Sequence, residues 1–293
     1  MRKNIFVKKV ILGTLTAAVL ASATACKNID LSNIADKSNF NIDNNNSVMF
    51  NSDYPIIENA ETVSKTEIGE GVTKLDFNIA ECEFKVMQSA DNKCYIEAEK
   101  VGKLQYYIEN ATLYIRTMKT SIISLDELQG AKIVLYIPAE VEYETANLEL
   151  GAGELRLMPL TMGELKINVG AGACYAEQLI SNKIDANVGM GEVKVADMQV
   201  NELKAEVGMG NAEFNGVLNG NASMKCAMGN ITAHFAGNEK DFNYKVDASL
   251  GTVNINGQKS SGANDKKAID NGAAKTIEVE CSLGNLEIIC SEN

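Results

Sequence analysis

The chain has 293 residues, of which 39 are acidic and 27 basic, for a formal net charge of −12. That balance excludes the basic footprint of a nucleic-acid binder and argues against unaided adsorption to anionic lipid. A single histidine, His234, excludes His-rich metal sites and any catalytic arrangement that needs a second histidine.

In chain order, residues 1–25 have the three parts of a secretory signal. Arg2, Lys3, Lys8 and Lys9 form the basic start, Val10 to Leu20 the apolar run, and Ala23-Thr24-Ala25 the small residues before a cleavage point. The apolar run is too short to span a bilayer. Cys26 follows at once, and Ser22-Ala23-Thr24-Ala25-Cys26 resembles a bacterial lipobox, with Ala23 where a large aliphatic residue is usual. Cys26 is therefore the expected point of lipid attachment. Without the four basic residues of the signal the chain carries 23 basic and 39 acidic residues, a net charge of −16.

Residues 26–55 are rich in Asn, Asp and Ser (Asn39, Asn41, Asn44, Asn45, Asn46) with no sustained periodicity. They read as a disordered tether behind the anchor. Residues 56–145 alternate apolar and polar side chains, the mark of β-strands, and read as an N-terminal β-meander cap. Leu75 to Ile79 and Glu83 to Val86 look like a degenerate copy of the repeat that follows, with Glu81-Cys82 at its turn. Ser89 to Asn92 and Glu109-Asn110 are turns, and Lys132 to Ile137 is a strand ending at Pro138.

From residue 146 to 293 a 19-residue period takes over. Gly151-Ala152-Gly153 is followed by Gly170-Ala171-Gly172, Gly189-Met190-Gly191, Gly208-Met209-Gly210 and the worn copy Ala227-Met228-Gly229; Ser249-Leu250-Gly251 and Ser282-Leu283-Gly284 continue it at wider spacing. A fixed period near 20 residues with period-2 alternation inside it predicts an all-β, single-stranded β-solenoid, two short strands per coil. The inward columns are apolar throughout. One runs through Leu155, Cys174, Val193, Ala212, Ile231, Val253 and Leu286; another through Leu148, Ile167, Ala186, Ala205, Met224, Val246 and Val279. Outward positions such as Lys166, Asp185 and Lys204 alternate in sign from coil to coil. The glycines are expected at sharp turns, where positive φ or the close approach of neighbouring coils excludes a Cβ.

One polar insertion, residues 258–274, interrupts the ladder. It is expected to bulge from a corner as a candidate binding loop carrying Lys259, Asn264, Asp265, Lys266 and Lys267, the paired lysines attracting an anionic partner first. Because no core column runs through it, its removal should leave stability intact. Met190, Met209 and Met228 stack at successive turns; with Ala152, Ala171, Leu250 and Leu283 in the same column they read as corner fillers rather than as a copper-binding thioether row. Cys174 and Cys226 fall in inward columns, as small hydrophobes do. Taken in chain order, Ala248 lies between Cys226 and Cys281, which places that pair two rungs, about 9.6 Å, apart and beyond bridging distance. Cys82–Cys94 and Cys281–Cys290 remain as candidate bridges.

No enzyme constellation emerges. A polysaccharide lyase needs a cluster of basic residues on one face, whereas Lys166, Lys194 and Lys204 are scattered among acids. Calcium-binding solenoid turns need Gly-Gly-x-Gly-x-Asp at a nine-residue period, which is absent. Gly-x-Gly without a following helix is no nucleotide loop. No metal and no cofactor is expected.

The order "VTKLDFNIAECEFKV", a hairpin, "ATLYIR", then "KIVLYIPAEVEYETANLELGAGELRL" and the glycine ladder resembles the bacterial putative-adhesin family DUF4097, with the related DUF2807 and "toastrack" envelope proteins. The resemblance covers residues 56 to 293. It implies a β-helical cell-surface or envelope protein, often lipid-anchored, with no known catalytic residues. The six cysteines after Cys26 and the worn glycines after Gly210 depart from the family pattern. The expected function is a non-catalytic lipoprotein, exported and lipid-anchored to the cell membrane facing outside. It would bind or display a cell-wall, host or envelope ligand and take no nucleic acid. The alternative is an envelope-stress sensor acting through a membrane partner.

Overall fold

Alternating side chains cannot bury one face alone, so each short strand must find a neighbour on either side. The computed structural model describes residues 49–118, 130–138, 140–261 and 265–292, all within a compact unit spanning Ile42–Asn293. The expected signal, Cys26 and residues 26–48 of the tether lie outside the described residues. What is described is all-β, with no α-helix and one 3-10 turn at Glu239–Asp241. Among the described residues no helix is long and apolar enough to cross a membrane.

The first five strands are β1 (Ile57–Glu70), β2 (Lys74–Gln88), β3 (Lys93–Glu109), β4 (Thr112–Met118) and β5 (Lys132–Ile137). They do not form a meander. β4 lies parallel to the first half of β2 and β5 parallel to its second half. β3 runs antiparallel to both, and β1 antiparallel to β3. The pairings β2–β4–β3–β5–β2 close on themselves as a small closed barrel. A meander was the wrong expectation because only the β3–β4 hairpin is a local connection. Its turn, Asn110-Ala111, has positive φ at both residues (50° and 59°), the geometry of a two-residue hairpin.

β6 (Glu142–Leu157) then lies on β2, and β7 (Leu160–Val169), β8 (Ala173–Ala176), β9 (Leu179–Val188), β10 (Glu192–Val207) and β11 (Asn211–Cys226) follow. Leu148, Ile167, Ala186, Ala205 and Met224 are consecutive register partners in parallel ladders, each step 19 residues. Leu155, Cys174, Val193 and Ala212 form a second such column. The degenerate copy is also in register, Phe77 on Leu148 and Phe84 on Leu155, with Cys82 beside Gly153. All members of the two inward columns named above are buried. At roughly 1.5–3 kcal/mol for each fully buried aliphatic side chain, these columns are the main source of stability.

A third ladder runs between these two columns, through residues that show no alternation in the sequence. Leu160, Leu179 and Met198 pair in parallel and are buried, so the parallel pairing of each 19-residue repeat extends through the residues between the two columns.

The C-terminal part departs from chain order. It holds β12 (Asn230–Ala236), β13 (Phe242–Ala248), β14 (Thr252–Ile255), β15 (Gln258–Ser261), β16 (Asp265–Ile269), β17 (Lys275–Cys281) and β18 (Asn285–Ser291). β17 lies between β11 and β13, and β18 between β12 and β14. The last two strands are thus inserted beneath the pair that precedes them in sequence. Asn256-Gly257, with φ of 46° and 84°, supplies the reason. This two-residue turn folds β15 back antiparallel onto β14, while β16 pairs antiparallel with β13. The outer edges of β13 and β14 are then taken, and the returning strands must enter on the inner edges.

Two expectations fall with this order. The polar insertion is not a bulging loop: β15 and β16 cover the end of the stack, and Ser260 is only 5% exposed. Excising it would strip the partners from β13 and β14, so stability would not survive unchanged. Cys226 and Cys281 are not two rungs apart either; they are direct register partners. The candidate pairs Cys82–Cys94 and Cys281–Cys290 are not joined, and all six described cysteines are free thiols.

Candidate functional site

The described residues singled out in the insertion lie on β15 and β16, which pair with β14 and β13. Lys259 is exposed on β15 opposite Asn254. Asn264 lies outside the described residues. Asp265 pairs with Ala248, Lys266 with Asp247 and Lys267 with Val246 across the β13–β16 ladder. Lys266 is tied to Asp247 by an ion pair of 2.7 Å, and Lys245 to Glu278 at 2.6 Å. The hydrogen bond from Lys266 to Asp247 raises its pKa above the usual lysine value. These side chains, with Lys267 and Glu280, line a shallow cleft. Three lysines face three carboxylates there, so the basic spot expected from the sequence is neutralised in place.

The turn column tells a different story. Backbone hydrogen bonds set its rungs in order: Met190 on Gly170, Met209 on Gly189, Met228 on Gly208, Leu283 on Ala227 and Leu250 on Ser282. The five side chains are 39–61% exposed. They are not corner fillers. Four rung intervals at about 4.8 Å make a ridge of about 19 Å. Small residues precede each ridge side chain (Gly189, Gly208, Ala227, Ser282, Ser249), and Glu192, Asn211, Asn230, Asn285 and Thr252 stand two positions after it. Asn211, Asn230 and Asn285 form an amide ladder alongside, with bonds of 2.8 and 3.0 Å. Across the five turns Glu192 is the sole charged residue in this strip, on a chain with a net charge of −12. An exposed, continuous apolar row without charge is the composition of a contact surface rather than of ordinary solvated corner.

At the other end of the unit, Tyr54 stacks on Tyr107 at 4.0 Å and Tyr107 on Tyr114 at 4.7 Å. Arg116 lies over Tyr114 at 5.2 Å and is paired with Asp76 at 2.6 Å. Sequence reasoning missed this stack, because Tyr54 fell in the segment read as tether. His234 is exposed on β12, facing Asn215 and Ile289 in register. Among the described residues no group of three or more His, Cys, Asp or Glu side chains is placed to hold a metal ion.

Residues 72–272 match the family described as Toastrack DUF4097. No curated protein matches the chain. Among solved structures, a putative adhesin from Bacteroides fragilis is similar at 13% identity, covering 80% of this chain and 100% of its own, with a TM-score of 0.44. A putative cell adhesion protein from Clostridium sporogenes is similar at 15% identity, covering 81% and 97%, with a TM-score of 0.31. A protein from Parabacteroides distasonis, described as a putative lipid binding protein, is similar at 14% identity, covering 81% and 97%, with a TM-score of 0.41.

Proposed function

Because the chain belongs to the Toastrack DUF4097 family, we propose that it is a non-catalytic β-solenoid of the adhesin type, held on the outer face of the cell membrane by a lipid on Cys26. In this reading its rigid stack presents a ligand-binding face to a cell-wall, host or envelope component. The observation that carries the reading is the uncharged ridge of Met190, Met209, Met228, Leu283 and Leu250. A partner with an apolar, uncharged surface can cover it without desolvating charges, which is the costly part of burying most of this molecule's surface.

The test is a double substitution, Met209→Lys with Leu283→Lys, in a soluble fragment beginning at Met49, which keeps Tyr54 on Tyr107. Both side chains are exposed, so the melting temperature should hold. Retention on cell-wall preparations or host cells should fall by roughly tenfold or more, about 1.4 kcal/mol or above. Unchanged retention would remove the ridge as the binding face.

The anchor has its own test. Cys26→Ala should move the protein from the membrane fraction to the medium or leave it unprocessed. A variant that stays in the membrane fraction with an unchanged mature mass would contradict lipid attachment at Cys26.

A further inference from the structure

We propose that Cys226 and Cys281 form a disulfide that fastens the inserted C-terminal coil to the body. The pair exists only because β17 enters out of chain order, between β11 and β13. In register on adjacent parallel strands, two residues stand about 4.8 Å apart, inside the roughly 4.4–6.8 Å range over which Cα atoms can be bridged. Both side chains point inward and are buried.

Other cysteines are not placed in this way. Cys82 faces Gly153, Cys94 faces Gly69, Cys174 faces Leu155 and Val193, and Cys290 faces Phe235. Among the described residues, Cys226 and Cys281 are the one pair of cysteines that are register partners.

The position also tells against a chance filling of space. Along this column Val169, Val188 and Val207 each lie under the second glycine of a following turn. Cys226 takes that place under Gly284, and Cys281 under Gly251. Valine serves this packing in three rungs, so packing alone gives no reason to switch to cysteine in two adjacent ones. Each thiol also donates to the carbonyl of its own turn, Cys226 to Gly229 at 3.0 Å and Cys281 to Gly284 at 3.1 Å. Both of these bonds are given up when the bridge forms, because a disulfide sulfur carries no proton. The residues to be joined are 55 apart in sequence, so a bridge here constrains a long stretch of the unfolded chain.

The chemistry is thiol–disulfide exchange with an oxidant of the glutathione-disulfide class, or a protein disulfide of the same kind. A thiolate of the pair attacks the oxidant's S–S bond and expels one thiol. The second cysteine thiolate then displaces the oxidant's remaining sulfur. Two protein S–H bonds are lost and one S–S bond gained, two protons leave, and the oxidant is reduced to two thiols. Because both thiols are buried in the finished fold, exchange belongs to the stage at which β17 and β18 insert. The pairing rests on the register alone; the proposed export supplies only an oxidising compartment.

The experiment refolds the full chain in a mixture of oxidised and reduced glutathione, alkylates the remaining thiols and maps the peptides by mass spectrometry. The expected product is one cross-linked peptide pair joining Cys226 and Cys281, with Cys82, Cys94, Cys174 and Cys290 alkylated. Oxidation should raise the melting temperature by roughly 5 °C or more. The double variant Cys226→Val with Cys281→Val reproduces the packing of the preceding rungs and should lose that rise. Alkylation of both residues in the refolded wild type, a bridge elsewhere, or the same rise in the double variant would overturn the proposal. The mapping on wild type decides the matter even if the variant does not fold. A bridge formed in the test tube but absent from protein recovered from cells would contradict the proposed export, not the pairing.

Discussion

Val193→Asp should lower stability by roughly 4 kcal/mol or more, which exceeds most single substitutions and is a large share of the about 5–15 kcal/mol that folded domains possess. Val193 is 0% exposed and sits in register between Cys174 and Ala212, so the new carboxylate would enter a dry column without a cation or a donor. Burial raises the pKa of such a group, because the charged form loses its hydration. A folded-state pKa above the unfolded value of about 3.9 means that the native state binds more protons, and stability falls as pH rises above about 4. The deficit of the variant should therefore shrink on acidification and grow toward neutrality. Chemical denaturation at several pH values would show both the size and the slope. The neighbouring control is Lys194→Gln. Lys194 faces outward and pairs with Glu213 at 2.8 Å, both side chains more than a third exposed, so its loss should cost less than about 1 kcal/mol. Equal losses at the two positions would contradict the alternation of inward and outward residues.

That alternation was legible in the sequence because a strand shows its burial with period 2 and the copies are equal in length. The columns through Leu148 and Leu155 could be written down in advance, and so could the match of the degenerate copy, Leu75 to Val86, to β6. The third ladder could not. Leu179 to Ser181 and Met198 to Val200 are three residues each, too short for alternation to rise above noise. Exposure of the turn column was also out of reach, since a residue at a corner belongs to neither face of a strand and periodicity gives it no direction.

The order of the last strands was a different failure. Tyr244, Val246 and Ala248 carry the same inward pattern as Ile277, Val279 and Cys281, so either set could lie on Met224 and Cys226. Periodicity says that strands stack, not in which order. The deciding signal is Asn256-Gly257, a two-residue hairpin turn with positive φ at both residues. Once β15 occupies the outer edge of β14, the order of the stack follows, and with it the contact between Cys226 and Cys281. The paired lysines fail for a related reason: Lys266 is basic in sequence but is opposed by Asp247 only through the antiparallel register of β13 and β16.

Gly210→Ala is expected to cost about 3 kcal/mol, the upper end of what forced overpacking usually costs, whereas Gly208→Ala, two residues earlier, should cost less than about 1 kcal/mol. The difference lies in what each added Cβ would meet. At Gly210 it would stand 2.1 Å from the carbonyl oxygen of Gly191 and 2.9 Å from Val188 Cγ1. The carbonyl cannot yield, because it accepts the hydrogen bond from Asn211 that holds the two rungs together. At Gly208 the nearest atom is Gly189 O at 3.0 Å, a contact that a shift of a few tenths of an ångström relieves. Neither glycine has positive φ, so close approach of the coils, not backbone conformation, is the operative constraint here. The chain itself has made half of this experiment. The first glycine of the turn is replaced by Ala227, Ser249 and Ser282 in the later copies, while the second persists as Gly229, Gly251 and Gly284. Added atoms at those second glycines would lie 2.1, 2.5 and 2.2 Å from their nearest neighbours. Thermal unfolding of the two single variants measures the contrast. If Gly210→Ala melts no lower than Gly208→Ala, the coils do not approach as closely at the turns as their hydrogen-bond ladder requires.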